Sequence, residues 1–181
     1  MTKEQARRLV SSRKKQLEPL YIEQANQSIF QKLIQMEEYQ QAETIFCYVS
    51  TAEEVNTWPV IGHALECGKK VGVPLCHGKG RMEVRELTSF QQLKKGMYGI
   101  MEPISGTRVM DKEEIQFGVI PCVSADLDHR RLGHGAGYYD RYLEDTDFFK
   151  VALCWKKVMM DQIPTDPHDV QMDQILFEDE L

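Results

Sequence analysis

Three alternating glycines stand in the stretch RRLGHGAGYYDRYLED, which covers residues 130–145. Glycine is costly in backbone entropy, so Gly133, Gly135 and Gly137 indicate a demand on backbone shape. One such demand is close approach to a phosphate, because N–H groups of a glycine-rich turn converge on an anion and a following helix adds its positive N-terminal end. The GxGxG spacing is neither Walker A nor the dinucleotide fingerprint, so a tight turn without a ligand stays open.

Charged residues flank this loop. Arg130 and Arg131 precede it and could add charge-assisted contacts to an anion. Asp140 follows it, in the first turn of the expected helix, where a carboxylate is electrostatically favoured in any case. Asp140 is equally a candidate magnesium ligand, since hard cations take oxygen donors from one or two carboxylates and from phosphates. The spacing alone leaves both roles of Asp140 open.

The composition is that of a globular protein that binds neither membranes nor nucleic acids. Of 181 residues, 42% are hydrophobic and 28% are charged. No apolar run reaches the roughly 20 residues of a membrane helix, and the first residues are too polar for a signal peptide, so we expect a cytoplasmic protein. The net charge of −6 argues against a nucleic-acid partner. The five cysteines form no CxxC pair, which predicts reduced, buried thiols.

Hydrophobic periodicity predicts strands that alternate with helices. Apolar runs predict strands at 44–50, 71–76, 82–87, 117–123, 150–155 and 170–178. Helices are predicted from a capping box at Thr2 to about Leu17, and at 22–34, 57–70 and 137–144. This alternation indicates an α/β fold: a mostly parallel sheet with helices on both faces, Rossmann-like, in a single domain of residues 1–181. Residues 94–112 are the candidate for a long functional loop.

Five motifs, in order, resemble those of the 5-formyltetrahydrofolate cyclo-ligase family. RLGHGAGYYDRYL is similar to the signature RLGxGxGYYDR, and KEQAR resembles the family's Lys-x-x-x-Arg helix. YVSTAEEVNT, YGIMEP and PTDPHDVQMDQIL resemble its YxSxxxEVxT, Gly-Ile-x-Glu-Pro and Pro-His-Asp segments. The resemblance implies an enzyme that uses ATP and Mg²⁺ to convert 5-formyltetrahydrofolate, a small-molecule substrate, into 5,10-methenyltetrahydrofolate. We expect it to act as a monomer.

The implied reaction needs positioning and charge neutralisation more than a protein nucleophile. ATP would phosphorylate the formyl oxygen, N10 of the folate would attack the activated carbon, and phosphate would leave. By resemblance, Arg131 and Tyr139 are the catalytic residues. The implied ATP-binding residues are Lys3, Arg7, Arg131, Leu132, Gly133, His134, Gly135, Ala136, Gly137, Tyr138 and Tyr139.

The same resemblance also assigns residues that contact the folate and the metal. Folate contacts fall on Thr51, Glu54, Asn56, Glu102 and Tyr139, and metal contacts on Asp140 and Asp173. A carboxylate suits the N–H donor pair of a pterin ring.

Five residues depart from the family pattern. Asn56 replaces a residue that is more often acidic, and Ala125 stands where an aromatic residue is common. Cys122, His129 and Ala136 replace usual glycines. An alanine fits the loop only if its φ is negative.

Two other function classes stay open. A phosphosugar or acyl-CoA isomerase or transferase of related architecture would need a basic or nucleophilic Glu or Asp beside the loop, without the Lys3 and Arg7 pair. A non-catalytic folate- or nucleotide-binding protein would suit the altered Asn56 and loop positions.

Overall fold

A seven-stranded sheet forms the centre of the computed structural model, which describes residues 1–181. The chain's strands are β1 (Thr44–Cys47), β2 (Lys70–Gly78), β3 (Arg81–Leu87), β4 (Leu93–Lys95), β5 (Met101–Pro103), β6 (Val109–Met110), β7 (Phe117–Ile120), β8 (Ser124–Ala125), β9 (Arg131–Leu132), β10 (Phe149–Leu153) and β11 (Gln174–Leu176). The order across the main sheet is β11-β10-β7-β1-β2-β3-β6. Strands β11, β10, β7, β1 and β2 are parallel, whereas β3 and β6 continue the sheet antiparallel.

The central strands are buried along their whole length. All four residues of β1 and all four of β7 are buried, as is typical of parallel strands that are covered on both faces. This explains why continuous apolar runs, rather than alternating ones, predict them. The strands are shorter than expected: β1 ends at Cys47, β7 at Ile120, and β11 comprises only three residues.

The helices are α1 (Lys3–Lys14), α2 (Pro19–Ile34), α3 (Glu37–Gln41), α4 (Trp58–Glu66) and α5 (Tyr138–Leu143). The capping box at Thr2 is present, because the Thr2 hydroxyl accepts from the Gln5 N–H and the Gln5 side chain accepts from the Thr2 N–H. Helix α1 nevertheless ends before the predicted Leu17. Helix α4 ends at Glu66, just before Gly68 turns the chain with a φ of 76°.

Helices cover both faces of the sheet. Phe117 pairs in register with Ile45, so their side chains share a face, and on that face Phe117 contacts Tyr39 of α3. The next residue of β1, Phe46, points to the opposite face and contacts Tyr142 of α5. The α/β fold with a mostly parallel sheet and helices on both faces is therefore confirmed.

The expected loop at 94–112 is wrong in part, because the segment contains short strands. Strands β4 and β5 pair antiparallel and form a hairpin over residues 93–103, and β6 joins the edge of the main sheet. The pairing is local and only two or three residues long in each strand, too short to leave a periodic pattern.

The cysteines are all free, but the expectation that all are buried is wrong. Cys47, Cys122 and Cys154 are buried, whereas Cys76 is half-buried and Cys67 is exposed at the end of α4.

Candidate active site

One large cavity opens where the parallel strands end. Its volume is about 770 Å³, and its walls include Tyr48 after β1, Cys76 of β2 and Pro121 after β7. The carboxyl ends of these three strands meet at one edge of the sheet, which is where α/β sheets bind ligands. The glycine loop (residues 133–137), the N-terminus of α1 and the β4–β5 hairpin complete the walls.

The glycine loop has the backbone conformation that its sequence predicts. Gly135 and Gly137 have φ values of 109° and 75°, in the region that side chains disfavour. Gly137 is the residue from which α5 begins. Ala136 does not adopt a positive φ, so its methyl group fits the loop. His129, which replaces a usual glycine, adopts a φ of 65° before β9.

Helix α1 clamps this loop. The Arg7 Nε donates to the Gly133 carbonyl oxygen at 2.8 Å. The guanidinium of Arg7 also lies over Gly135, where an added Cβ would come 3.4 Å from Arg7 Cζ. The sequence places Arg7 on a basic helix face, and the structure turns that side chain towards the cavity.

Lys3 also lines the cavity, but carboxylates already surround it. Its Nζ lies 2.7 Å from Asp166 Oδ2 and 2.6 Å from Asp169 Oδ2. Burial lowers the pKa of Lys3, but hydrogen bonds to these two aspartates outweigh it and leave the pKa raised. The same contacts lower the pKa of Asp169 against the opposing effect of burial. Oxygens of Asp166 and Asp169 and a ring nitrogen of His168 lie within 4.8 Å of one another.

Arg131 and Asp140 form an ion pair at the cavity wall. The Arg131 Nη2 lies 3.0 Å from Asp140 Oδ1, which also accepts from the Val170 N–H at 3.1 Å. The Arg131 side chain is only 3% exposed. Arg131 therefore positions Asp140, whose carboxylate keeps its second oxygen for a ligand.

Tyr139 presents a ring between the core and the cavity. It stacks on Phe46 with 6.0 Å between ring centroids. Burial raises the pKa of Tyr139 well above its usual value. The phenol thus stays protonated at neutral pH and can donate a hydrogen bond.

Glu54 also lines the cavity, from the loop after β1. Its Oε1 accepts from the Thr51 N–H at 2.9 Å, and its Oε2 lies 3.4 Å from His134 Nε2. Burial would raise the pKa of Glu54, but the contact with His134 and the Thr51 hydrogen bond lower it. Glu54 is therefore an ionised, half-buried acceptor.

The β4–β5 hairpin supplies an apolar rim that residue types alone do not reveal. Met97, Tyr98 and Ile100 line the cavity and are exposed, Tyr98 by 87%. Glu102 also lines it, and its Oε1 accepts from the Met97 N–H. The only sequence signal for this rim is the YGIMEP motif, which predicts Glu102 but not the exposed apolar side chains.

Three residues expected at the site lie elsewhere. Leu132 is fully buried against Ala6 and Ile163, because the short strand β9 turns it into the protein. The Asn56 Oδ1 accepts from the Trp58 N–H, so this side chain closes the turn that leads into α4, outside the cavity wall. The Asp173 carboxylate accepts from the Lys150 N–H at the start of β10, and it does not line the cavity either.

The cavity is more negative than positive. Six carboxylates face three permanent cations along its walls, namely Glu53, Glu54, Glu102, Asp140, Asp166 and Asp169 against Lys3, Arg7 and Arg131. A polyphosphate would meet net repulsion there unless it arrived with a cation.

Comparison with known proteins gives consistent matches over nearly the whole chain. Residues 1–178 match the model of the family described as the 5-formyltetrahydrofolate cyclo-ligase family. A Mus musculus protein named 5-formyltetrahydrofolate cyclo-ligase is 31% identical over 164 residues, which cover 82% of this chain and 80% of that protein. A Schizosaccharomyces pombe protein, named as a probable 5-formyltetrahydrofolate cyclo-ligase, is 28% identical over 97% of this chain and 95% of its own length.

A solved structure has the same fold. The 5,10-methenyltetrahydrofolate synthetase of Aquifex aeolicus, determined by NMR, superposes with a TM-score of 0.85 at 26% identity, over 97% of this chain and 89% of that one. No helix of the present structure has the length and apolar character that crossing a membrane requires.

Proposed function

This chain belongs to the 5-formyltetrahydrofolate cyclo-ligase family, and from that premise we propose that it converts 5-formyltetrahydrofolate into 5,10-methenyltetrahydrofolate with ATP and Mg²⁺. The formyl oxygen accepts the terminal phosphoryl group of ATP, which leaves ADP. N10 then attacks the activated carbon, loses its proton, and phosphate departs. This sequence of steps requires that the nucleotide and the folate lie side by side in one cavity.

The observation that carries the proposal is the combination of two unlike kinds of lining in one cavity. The nucleotide part of the lining consists of the glycine loop with Arg7 and Lys3, which suits phosphates. The folate part combines the apolar hairpin rim with the acceptors Glu54 and Glu102, which suits a flat ring with N–H donors. Tyr139 lies at the cavity wall and can donate its phenolic hydrogen to a ligand oxygen. A volume of about 770 Å³ falls within the range of small-molecule sites.

The donor set fits a divalent cation. The excess of carboxylates over cations would repel ATP alone, and Mg²⁺ binds oxygen ligands and phosphates together. When bound, Mg²⁺ would neutralise phosphate charge. Asp140 is the carboxylate in the proposal, because Arg131 and the Val170 N–H hold one of its oxygens and fix its orientation. Asp173 has no role in the proposal because it lies outside the cavity wall.

The direct test is to incubate the protein with ATP, Mg²⁺ and 5-formyltetrahydrofolate. Methenyltetrahydrofolate absorbs near the visible, where the formyl compound does not, so turnover appears as rising absorbance. We expect the rise to require all three components. A folded protein that shows no rise under these conditions would exclude the proposed reaction.

The nucleotide part of the cavity lining can be tested with two neighbouring arginines, Arg7 and Arg8. We expect Arg7→Ala to raise the KM for ATP by about 10-fold or more, as for loss of a hydrogen bond to a charged group. Arg8→Ala removes the same charge from the adjacent position, where the side chain is 77% exposed and pairs with Glu4. The KM of Arg8→Ala for ATP should equal that of the wild type. Equal KM values for both variants would remove Arg7 from the nucleotide site.

The role of Asp140 as a metal ligand can be tested with a second matched pair of variants, one at Asp140 and one at Asp145. Asp140→Asn keeps an oxygen for Arg131 and Val170 but removes the charge. We expect it to weaken the Mg²⁺ dependence of ATP binding, measured by calorimetry, far more than it lowers stability. Asp145→Asn is the control, because Asp145 is exposed and pairs with Lys112.

A further inference from the structure

His134 connects the nucleotide part of the cavity lining with the folate part. It stands between Gly133 and Gly135 in the glycine loop, and its Nε2 lies 3.4 Å from Glu54 Oε2 in the loop after β1. His134 is 56% exposed, whereas the Glu54 side chain is only 11% exposed. The exposed partner therefore extends from the glycine loop to an acceptor that is held in the loop after β1.

Glu54 has both carboxylate oxygens engaged in this arrangement. Oε1 accepts from the Thr51 N–H, and Oε2 faces His134. A flat ligand with two adjacent N–H donors needs both oxygens of one carboxylate, in the manner of a bidentate pair. The Thr51 hydrogen bond can persist, since each oxygen has two lone pairs. The position occupied by the His134 ring cannot be shared with the ligand.

The backbone next to His134 can turn at low cost. Gly135 lacks a Cβ, and its φ of 109° belongs to a region that glycine adopts without strain. The Gly133 carbonyl is held by Arg7, so rotation concentrates on the His134 and Gly135 positions. A phosphate that draws the N–H groups of this loop towards itself would reorient the His134 side chain with them.

We propose that His134 is a positioning residue that couples nucleotide binding to folate binding. In the free enzyme, the His134 side chain contacts the Glu54 carboxylate. A nucleotide bound to the glycine loop moves His134 away, so that Glu54 accepts hydrogen bonds from the folate ring. This inference rests on the proposed function for the identity of the two ligands. Nucleotide must then tighten folate binding, and folate must tighten nucleotide binding by the same factor.

The test measures binding, not turnover. The Kd of 5-formyltetrahydrofolate is titrated with and without a non-hydrolysable ATP analogue and Mg²⁺, for wild type, His134→Ala and His134→Gln. We expect the analogue to tighten folate binding of the wild type about fivefold or more. In His134→Ala, the folate should bind without nucleotide as tightly as it binds to the nucleotide-loaded wild type. The coupling factor, which is the ratio of the folate Kd values without and with the analogue, should fall below about twofold in this variant. In His134→Gln the factor should be intermediate, because the amide can still donate to Glu54.

A histidine outside the cavity serves as the control. His77→Ala removes an exposed histidine that contacts Glu83 on β3, and it should leave the coupling factor at the wild-type value. A coupling factor in His134→Ala equal to that of the wild type, or weaker folate binding by His134→Ala in the absence of nucleotide, would overturn the inference. Wild-type turnover distinguishes the two proposals: no methenyl product refutes the proposed function, whereas normal turnover with unchanged coupling refutes only the role of His134.

Discussion

Neutralising the carboxylate of Asp126 should lower the stability of this protein by about 2–4 kcal/mol. It is fully buried between β8 and β9. Its Oδ1 accepts from the N–H groups of Asp128 and Arg130, and its Oδ2 accepts from Arg130 Nε and from the buried Ile163 N–H. One side chain thus shapes the turn that leads to the glycine loop and anchors the segment that carries Asp166 and Asp169 to the cavity.

Asp126→Asn keeps the shape and replaces one acceptor with a donor. The amide oxygen can still serve two of the four N–H groups, but the amide nitrogen then faces the other two, at Arg130 and Ile163. Water can reach Arg130, which is about one quarter exposed, but not the Ile163 N–H. A buried unsatisfied donor costs about 1–3 kcal/mol, and breaking a buried ion pair costs about 3–5 kcal/mol. We therefore expect a loss of about 2–4 kcal/mol in the free energy of unfolding.

Urea denaturation measures this loss. With a slope of about 2 kcal/mol/M, the midpoint should fall by about 1–2 M while the slope stays constant. Asp128→Asn is the control: its side chain is 74% exposed and pairs only with Arg130, so the midpoint should fall by less than about 0.3 M. If Asp126→Asn moved the midpoint no further than this control, the hydrogen-bond assignment of Asp126 would be wrong.

Three further outcomes follow from individual contacts. Gly80 has a φ of 74°, and a Cβ there would lie 1.3 Å from Arg141 Nη1. Gly80→Ala should therefore cost about 1–2 kcal/mol of backbone strain plus a steric cost. In the Arg141→Ala background the steric cost should vanish, which a double-mutant cycle in urea would detect. Asn56→Asp should leave the KM for folate unchanged, because the side chain closes the turn before α4. A lower KM for folate in steady-state assays would contradict that position. The pKa of Glu54 is lowered in the folded state, so the ionised carboxylate stabilises the protein. This contribution to stability is complete above about pH 4.3 and is lost as the pH falls through the lower, folded-state pKa. Glu54→Gln should therefore lose less stability than wild type between pH 5 and pH 3 in denaturant titrations.

The sequence predicts the elements whose pattern comes from burial. Strands β1, β7 and β10 are apolar because helices cover both faces of the sheet, and that run of residues is visible without a structure. Helix α3 and the pairs β4–β5 and β8–β9 escape prediction because each is only two to five residues long. Their stability comes from the tertiary contacts of a few side chains, and such contacts leave no periodicity.

The site is predicted where a residue's role depends on the local backbone, and missed where it depends on the direction of a side chain. Gly135 and Gly137 have the positive φ values that justify glycine. Asn56 carries an amide suited to a ligand, yet its oxygen accepts from the Trp58 N–H in the turn before α4. Lys3 and Asp166 illustrate the converse, because only the folded chain brings the ammonium of one to the carboxylate of the other.

The contact between Lys3 and Asp169 has a consequence for the order of folding. These residues are 166 positions apart, so their hydrogen bond closes a loop of almost the whole chain. The entropy of closing such a loop must be offset by many other contacts, and long-range contacts of this kind form late. The sheet can assemble before this contact exists, but the wall that Lys3 and Asp169 share cannot. Recovery of nucleotide binding during refolding should therefore lag behind recovery of the far-ultraviolet circular dichroism signal.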